Sequence, residues 1–146
     1  MALKVTGLTD VVKALEGMVA RVEAATPLAI ITAQSLIEGE ARARLSRYSH
    51  PRRTPTPAPA GGPPALVTGR LRSSFDMAGP TPAGAGVWLS AMGPTAAYSR
   101  IQELGGSTGR TQLPARPYLW PSFDAVHHSG RLEDTFHRAW ARAITG

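Results

Sequence analysis

No cysteine occurs in the 146 residues. That excludes a disulfide framework and any thiolate metal site, and is the usage expected of a protein made in a reducing cytoplasm. Carboxylates are sparse: ten Asp and Glu against sixteen Lys and Arg, with none between Glu40 and Asp76, between Asp76 and Glu103, or between Glu103 and Asp124. Such scatter argues for no acid–base pair. Long apolar runs are missing too. The longest, "PLAIITA", is far too short to span a bilayer, and the opening "MALKVTGLTD" has no apolar signal core, so a soluble, unsecreted protein with no membrane partner is expected. Histidines number four: His50, His127, His128 and His137. Asp124 and His128 stand at i, i+4 on one helical face and would suit a metal with nitrogen and oxygen ligands. No third ligand follows at a recognisable spacing, so the exposed side of an amphipathic helix is the simpler reading. Gly61-Gly62 and Gly105-Gly106 lack the preceding strand and spacing of a phosphate-binding loop. Ser73, Ser74 and Ser107 sit in no G-x-S-x-G elbow. The sequence thus names no catalytic residue, no metal ligand and no cofactor, and no enzyme is expected.

What is present is enough apolar material for one domain with a core: 42% of the residues are hydrophobic. The net charge of +6 is unevenly placed. Residues 1–40 carry −2 and residues 76–146 carry +1, whereas residues 41–75 hold Arg42, Arg44, Arg47, Arg52, Arg53, Arg70 and Arg72 with no acid, giving +7. A block of this kind faces a polyanion or an acidic partner, or else is a solvated arginine-rich surface.

Thr9 or Asp10 is placed to cap a helix in which Val11, Val12, Leu15, Val19 and Val22 form one apolar stripe. A second stripe follows at Ile30, Ile31, Gln34, Leu36, Ile37, Ala41 and Leu45. Between them Pro27 implies either one long helix, kinked there, or two in tandem. Both stripes need a partner to cover them. Residues 51–65, "PRRTPTPAPAGGPPA", hold six of the thirteen prolines and no residue able to anchor a core, and read as a flexible or extended loop. Thr68 can cap a helical turn over Gly69 to Ser73. Phe75 and Met77 then alternate as a strand, "PTPAGAG" reads as a turn, and "VWLSAMG" as the returning strand of an antiparallel hairpin. "PTAAYSRIQELGG" is helical, with Tyr98, Ile101 and Leu104 on one face and two glycines as the stop. "STGRTQ" is a flexible tip. The last helix takes Pro121 in its first turn and runs to Ile144, with Phe123, Val126, Leu132, Phe136, Trp140 and Ile144 inward and a break available at Gly130. The expected architecture is α+β, a long N-terminal helix and a C-terminal amphipathic helix on a small antiparallel sheet.

Two details bear on function. Glu103 sits where the short helix ends, amid Arg72, Arg100 and Arg116, so an ion pair with Arg72 or Arg116 is expected to orient the loop that follows. In "LPARPYLWPSF" (113–123) the prolines stiffen the backbone and bias each preceding residue toward extended geometry. That presents Tyr118, Leu119 and Trp120 from a strap, which is expected to pin the last helix onto the sheet and join a subunit contact.

Three stretches then stand in a telling order: "VTGRLRSSF", "MGPTAAYSRIQELGG" and "LPARPYLWPSFDA". They carry T-G-x-L-R-x-S at Thr68, Gly69, Leu71, Arg72 and Ser74; Y-x-x-x-x-E-x-G at Tyr98, Glu103 and Gly105; and P-A-x-P-[FY]-[LI]-x-P at Pro114, Ala115, Pro117, Tyr118, Leu119 and Pro121. With the helical segments at either end, the chain resembles, over nearly its whole length, the small neck or tail-completion proteins of long-tailed double-stranded-DNA bacteriophages, a family related to the lambda tail protein Z. It departs from that pattern in its long Pro-rich run before the T-G motif and in Trp120, where a basic or polar residue is common.

The resemblance implies a virion protein of the head–tail connection, assembled in the host cytoplasm. It implies a ring, of six copies, around the channel for genomic double-stranded DNA, with head-closure and tail-terminator or tail-tube proteins as neighbours. Six copies would gather about 40 positive charges from residues 41–75. Duplex DNA carries roughly one charge per 1.7 Å, so a lumen lined this way would hold the genome instead of passing it. The arginines are therefore expected to meet the stationary end of packaged DNA or an acidic surface on an adjoining ring. Two other classes remain open: a small basic DNA-binding protein using Arg42, Arg44, Arg47, Arg52 and Arg53, which lacks base-reading patterns and interleaved aromatics, and a hydrolase or metal-dependent enzyme built on the histidines.

Overall fold

Residues 1–45 are rich in alanine and in aliphatic side chains at three- and four-residue spacing, a pattern that buries one stripe of a helix. In the computed structural model, which describes residues 7–53 and 58–145, they give a single helix α1, Leu8–Arg44. It continues through Pro27, which forfeits only its own bond to the carbonyl one turn back. Thr9 and Asp10 are not the caps. Gly7, at φ 94°, holds the N-cap position without a side-chain bond, a backbone turn open to glycine. Asp10 lies inside the first turn, where its charge complements the helix dipole.

After α1 the chain reaches α2 (Arg70–Ser73), the antiparallel strands β1 (Phe75–Gly84) and β2 (Val87–Pro94), and α3 (Ser99–Leu104). A two-residue ribbon, β3 (Gly106–Ser107) with β4 (Gln112–Leu113), precedes α4 (Leu119–His128) and α5 (Arg131–Thr145). The architecture is α+β. The N-cap of α2 is Gly69, at φ 73° and without a side-chain cap bond, and not Thr68 as expected; Thr68 sits one residue earlier, its hydroxyl accepting the Arg70 N–H at 3.3 Å. "STGRTQ", expected as a loose tip, closes the β3–β4 ribbon through the Thr108 N–H and Thr111 carbonyl at 3.1 Å.

The first hairpin is longer than its composition implies. β1 runs through Pro80 and Pro82 to Gly84, and only Ala85 and Gly86 turn. A two-stranded ribbon has a free edge on each strand, where proline's missing N–H costs no ladder bond, and two register shifts absorb the rest. Its far half is exposed, so a sheet this small depends on its base. There Phe75 pairs with Pro94, and both Phe75 and Leu119 pack on the buried cluster of Leu45, Leu71, Ala96 and Tyr118. The core thus sits where the end of α1, α2, the hairpin base and the start of α4 meet.

Along the rest of α1 lie α4 and α5. Buried Ala29, Ala33 and Ala41 allow close helix approach, with Ser122 and Val126 as the buried residues of α4. Gly130, at φ 74°, separates α4 from α5. α5 runs antiparallel to α1: Trp140 Nε1 donates to Thr26 Oγ1 at 3.0 Å, and Arg21 Nε donates to the Ala143 carbonyl at 2.8 Å. Ile144, expected to face inward, is exposed. The series 132, 136, 140, 144 advances four residues at a time and so rotates about 120° around the helix over its length. The turns of α1 before Arg21 have no such neighbour among the described residues. Leu8, Val11, Val12, Leu15, Met18 and Val19 are all 37–65% exposed.

Candidate functional site

The three motif stretches converge on the N-terminus of α4. A helix start leaves several N–H groups without partners, and here no Ser, Thr, Asp or Asn stands at the cap to take them. Pro117 and Pro121 have no N–H to satisfy. The Glu103 carboxylate accepts the other three: Tyr118 N–H at 2.8 Å and Leu119 N–H at 3.0 Å on Oε2, and Trp120 N–H at 3.0 Å on Oε1. Its negative charge also lies at the positive end of the helix dipole. The expected ion pair with Arg72 or Arg116 is therefore corrected. Glu103 does orient the strap, but through backbone amides. Arg72 Nη1 instead donates to Ser46 Oγ at 2.9 Å, and Arg116 Nε to the Ala58 carbonyl at 2.9 Å.

Gly105 makes this arrangement possible. Its φ of 70° with ψ of −176° is a region reserved for glycine, and a Cβ there would fall 2.8 Å from Ala115 N and 2.9 Å from the Leu113 carbonyl. The strap passes that close. The E-x-G spacing therefore reads physically: the glutamate caps α4, and the glycine two residues on lets the incoming strap lie against α3's end. The Arg116 N–H reinforces this by donating to the Gln102 carbonyl at 2.7 Å.

The strap's aromatics separate sharply. Tyr118 is 1% exposed and Trp120 is 67% exposed. Burial raises the Tyr118 phenol well above its ordinary value, and the negative charge of Glu103 and the nearby Tyr98 add to it. Trp120 points away from the core and opens an exposed aromatic row, 5.5 Å from Phe123, which in turn stacks on His127 at 5.9 Å. The strap fastens α4 to the end of α1 and the hairpin base, with Leu119 Cδ2 at 3.8 Å from where a Gly93 side chain would begin. Pinning onto the sheet alone is thus too narrow.

Beside the strap lies a pocket of about 390 Å³. Leu45, Leu66, Val67, Leu71 and Tyr98 form apolar wall, Arg70, Arg72 and Arg116 bring positive charge, and His50 adds a polar ring. No carboxylate lines it. Part of the Pro-rich run closes one side, contrary to the expectation that nothing in it reaches the core. Ala58 is 6% exposed and Pro64 is buried. Gly61 N–H donates to the Ala115 carbonyl at 3.0 Å, and Leu66 N–H to the Tyr48 carbonyl at 2.8 Å. Composition hid this because the anchoring groups are backbone amides and a single alanine.

The basic block divides as well. Arg42 pairs with Glu38, Arg44 lies 3.2 Å from Glu40, and Arg47 lies 3.6 Å from Glu40. Two glutamates just before residue 41 therefore balance part of what looked like uncompensated charge, and residues 38–75 carry +5. Arg52 and Arg53 are exposed on the loop beyond. Asp124 and His128 do meet at 3.2 Å, whereas His127 pairs with Glu133 at 2.9 Å. Among the described residues no three such groups converge on a point where a metal could sit, and no helix is long and apolar enough to cross a membrane.

Sequence reasoning missed the capping role of Glu103 and the burial of Arg116. The first had a signal: a helix opening on Pro-Tyr-Leu-Trp-Pro has no local cap, so an acceptor must come from elsewhere. Compared with known protein families, curated proteins and solved structures, the chain gives no match.

Proposed function

We propose that this chain is a structural protein of the head–tail connection of a long-tailed double-stranded-DNA bacteriophage. In this reading six copies form a ring around the DNA channel and join tail to head. The observation that carries it is the convergence of the three motif stretches in one capped junction, where Glu103, Gly105, Leu71 and Tyr118 each serve architecture. The carboxylates near other charged groups are spent likewise, on Arg42, Arg44, Arg47, His127, His128 and, through Asp134, on Arg138. What the junction leaves outside is material for contacts: the Trp120–Phe123 row, and the uncovered stripe from Leu8 to Val19.

A closed ring requires a heterologous interface, in which one face of a copy meets a different face of the next. The stripe on α1 supplies one such face, and the exposed apolar surface is of the kind that marks an association site. Pairing of Arg42, Arg44 and Arg47 with glutamates also eases the problem of a DNA-gripping lumen. With two glutamates set against those three arginines, residues 38–75 keep a net +5, about 30 charges in six copies instead of about 40, a weaker hold on a moving duplex.

The test is genetic and biochemical together. A phage carrying a stop codon in this reading frame should yield DNA-filled heads and complete tails that stay apart, and adding the purified protein to the lysate should join them. Infectious, joined particles made without the protein would refute the proposal.

A further inference from the structure

Arg116 is the one charged residue among those buried in the described chain, at 7% exposure. Its Nη nitrogens are not among the fully buried atoms left without a partner, so they keep their contact with solvent, and a guanidinium held this deep gains more from a counter-charge than one on the open surface. Yet among the described residues no carboxylate lies within ion-pair distance of Arg116, and Nε alone is engaged, on the Ala58 carbonyl. The remaining fork belongs to a residue that lines the 390 Å³ pocket, with Arg70 and Arg72 beside it and no acid in the lining. A planar fork of donors in an apolar, partly closed site matches a carboxylate bidentately.

From this geometry we infer that the pocket is a socket for an acidic peptide segment of a partner protein, with the segment's carboxylate on Arg116 and its flanking apolar side chain on Leu45, Leu66 and Leu71. Shape decides between a peptide and nucleic acid. Duplex phosphates lie on a broad, stiff rod that meets open surfaces, whereas this site is concave and its walls are mostly hydrocarbon. A segment of extended chain can enter such a pocket; a duplex cannot. Nor does the chain's own acidic apolar stretch, Leu8 to Glu23, suit it, because that stretch is already wound into a 37-residue helix and is not an extended segment. The inference stands on the pocket itself and holds for a monomer as for a ring. In the connector reading, the segment would come from the adjoining ring.

The probe is an acetylated, amidated pentapeptide with glutamate between two leucines, titrated into the full chain while amide and arginine Nε–H resonances are followed by NMR. Saturable shifts at Arg116, Leu66 and Leu71 are expected. The same peptide with glutamine at its centre should bind about tenfold or more weakly, the loss that follows from removing a charged hydrogen bond. Arg116→Lys keeps the charge but loses the fork and should weaken binding similarly. Should that variant unfold, Arg72→Gln, at an exposed lining position, should still cut affinity several-fold with an unchanged melting temperature. Equal binding of the two peptides, or no shift at Arg116, would overturn the inference. So would inorganic phosphate binding as tightly as the glutamate peptide, or a 20-base-pair duplex displacing it from these resonances.

Discussion

Glu103 replaces a local cap with one carboxylate from fifteen residues away, and so welds two motif stretches whose spacing would otherwise be free. Changing it to glutamine removes the charge and turns one acceptor into a donor facing an N–H. Glu103→Gln should therefore cost about 2 kcal/mol, read as a lower urea midpoint with an unchanged slope; an unchanged midpoint would contradict the capping role. Gly105→Ala meets backbone at under 3 Å on two sides and should cost about 3 kcal/mol in the same measurement. Tyr118 makes a pH prediction. The folded state holds the phenol proton more tightly than the unfolded chain does, so its contribution is whole below pH 10, the ordinary value, and is lost as pH climbs above it. Tyr118→Phe lacks that proton. The two melting-temperature curves should run parallel up to about pH 10, and above it that of Tyr118→Phe should fall less steeply than that of the unmodified protein; curves that stay parallel above pH 10 would show that the phenol is not held neutral.

At the scale of elements, the periodic features were legible and the meetings between elements were not. α1, the hairpin and the break at Gly130 each follow from apolar spacing or a residue with special backbone freedom. The reach of β1 through Pro80 and Pro82 was hidden because proline is read as a turn former unless one knows that the strand has a free edge. Glu103 was legible as an organiser but not in its partner, since sequence neighbourhood puts arginines nearby while the fold delivers three amides. Ala58 and Arg116 were invisible for the same reason: residue type reports neither which backbone passes alongside nor what is buried by it. The strap's two aromatics, alike in sequence, now carry different expectations. Tyr118→Ala removes a filled core position and should cost about 3–5 kcal/mol. Trp120→Ala should leave monomer stability within about 0.5 kcal/mol while weakening self-association in analytical ultracentrifugation. A destabilised Trp120 variant that associates normally would reverse that assignment.

For the whole molecule, charge and apolar exposure point in one direction. The arginines of α1 are largely answered by Glu38 and Glu40, leaving the outlying Arg52 and Arg53 and the arginines around the pocket. The N-terminal turns of α1 project past the end of α5 by about 20 Å, with their apolar side uncovered by any of the described residues. A monomer gains nothing from that stripe; an assembly does. Native mass spectrometry of the purified chain tests this most directly, with Leu15→Glu as the control. The account predicts a closed oligomer of six copies for the unmodified protein and a folded monomer for Leu15→Glu. A unmodified protein that stays monomeric at high concentration and binds duplex DNA tightly, with the steep salt dependence of many phosphate contacts, would contradict it.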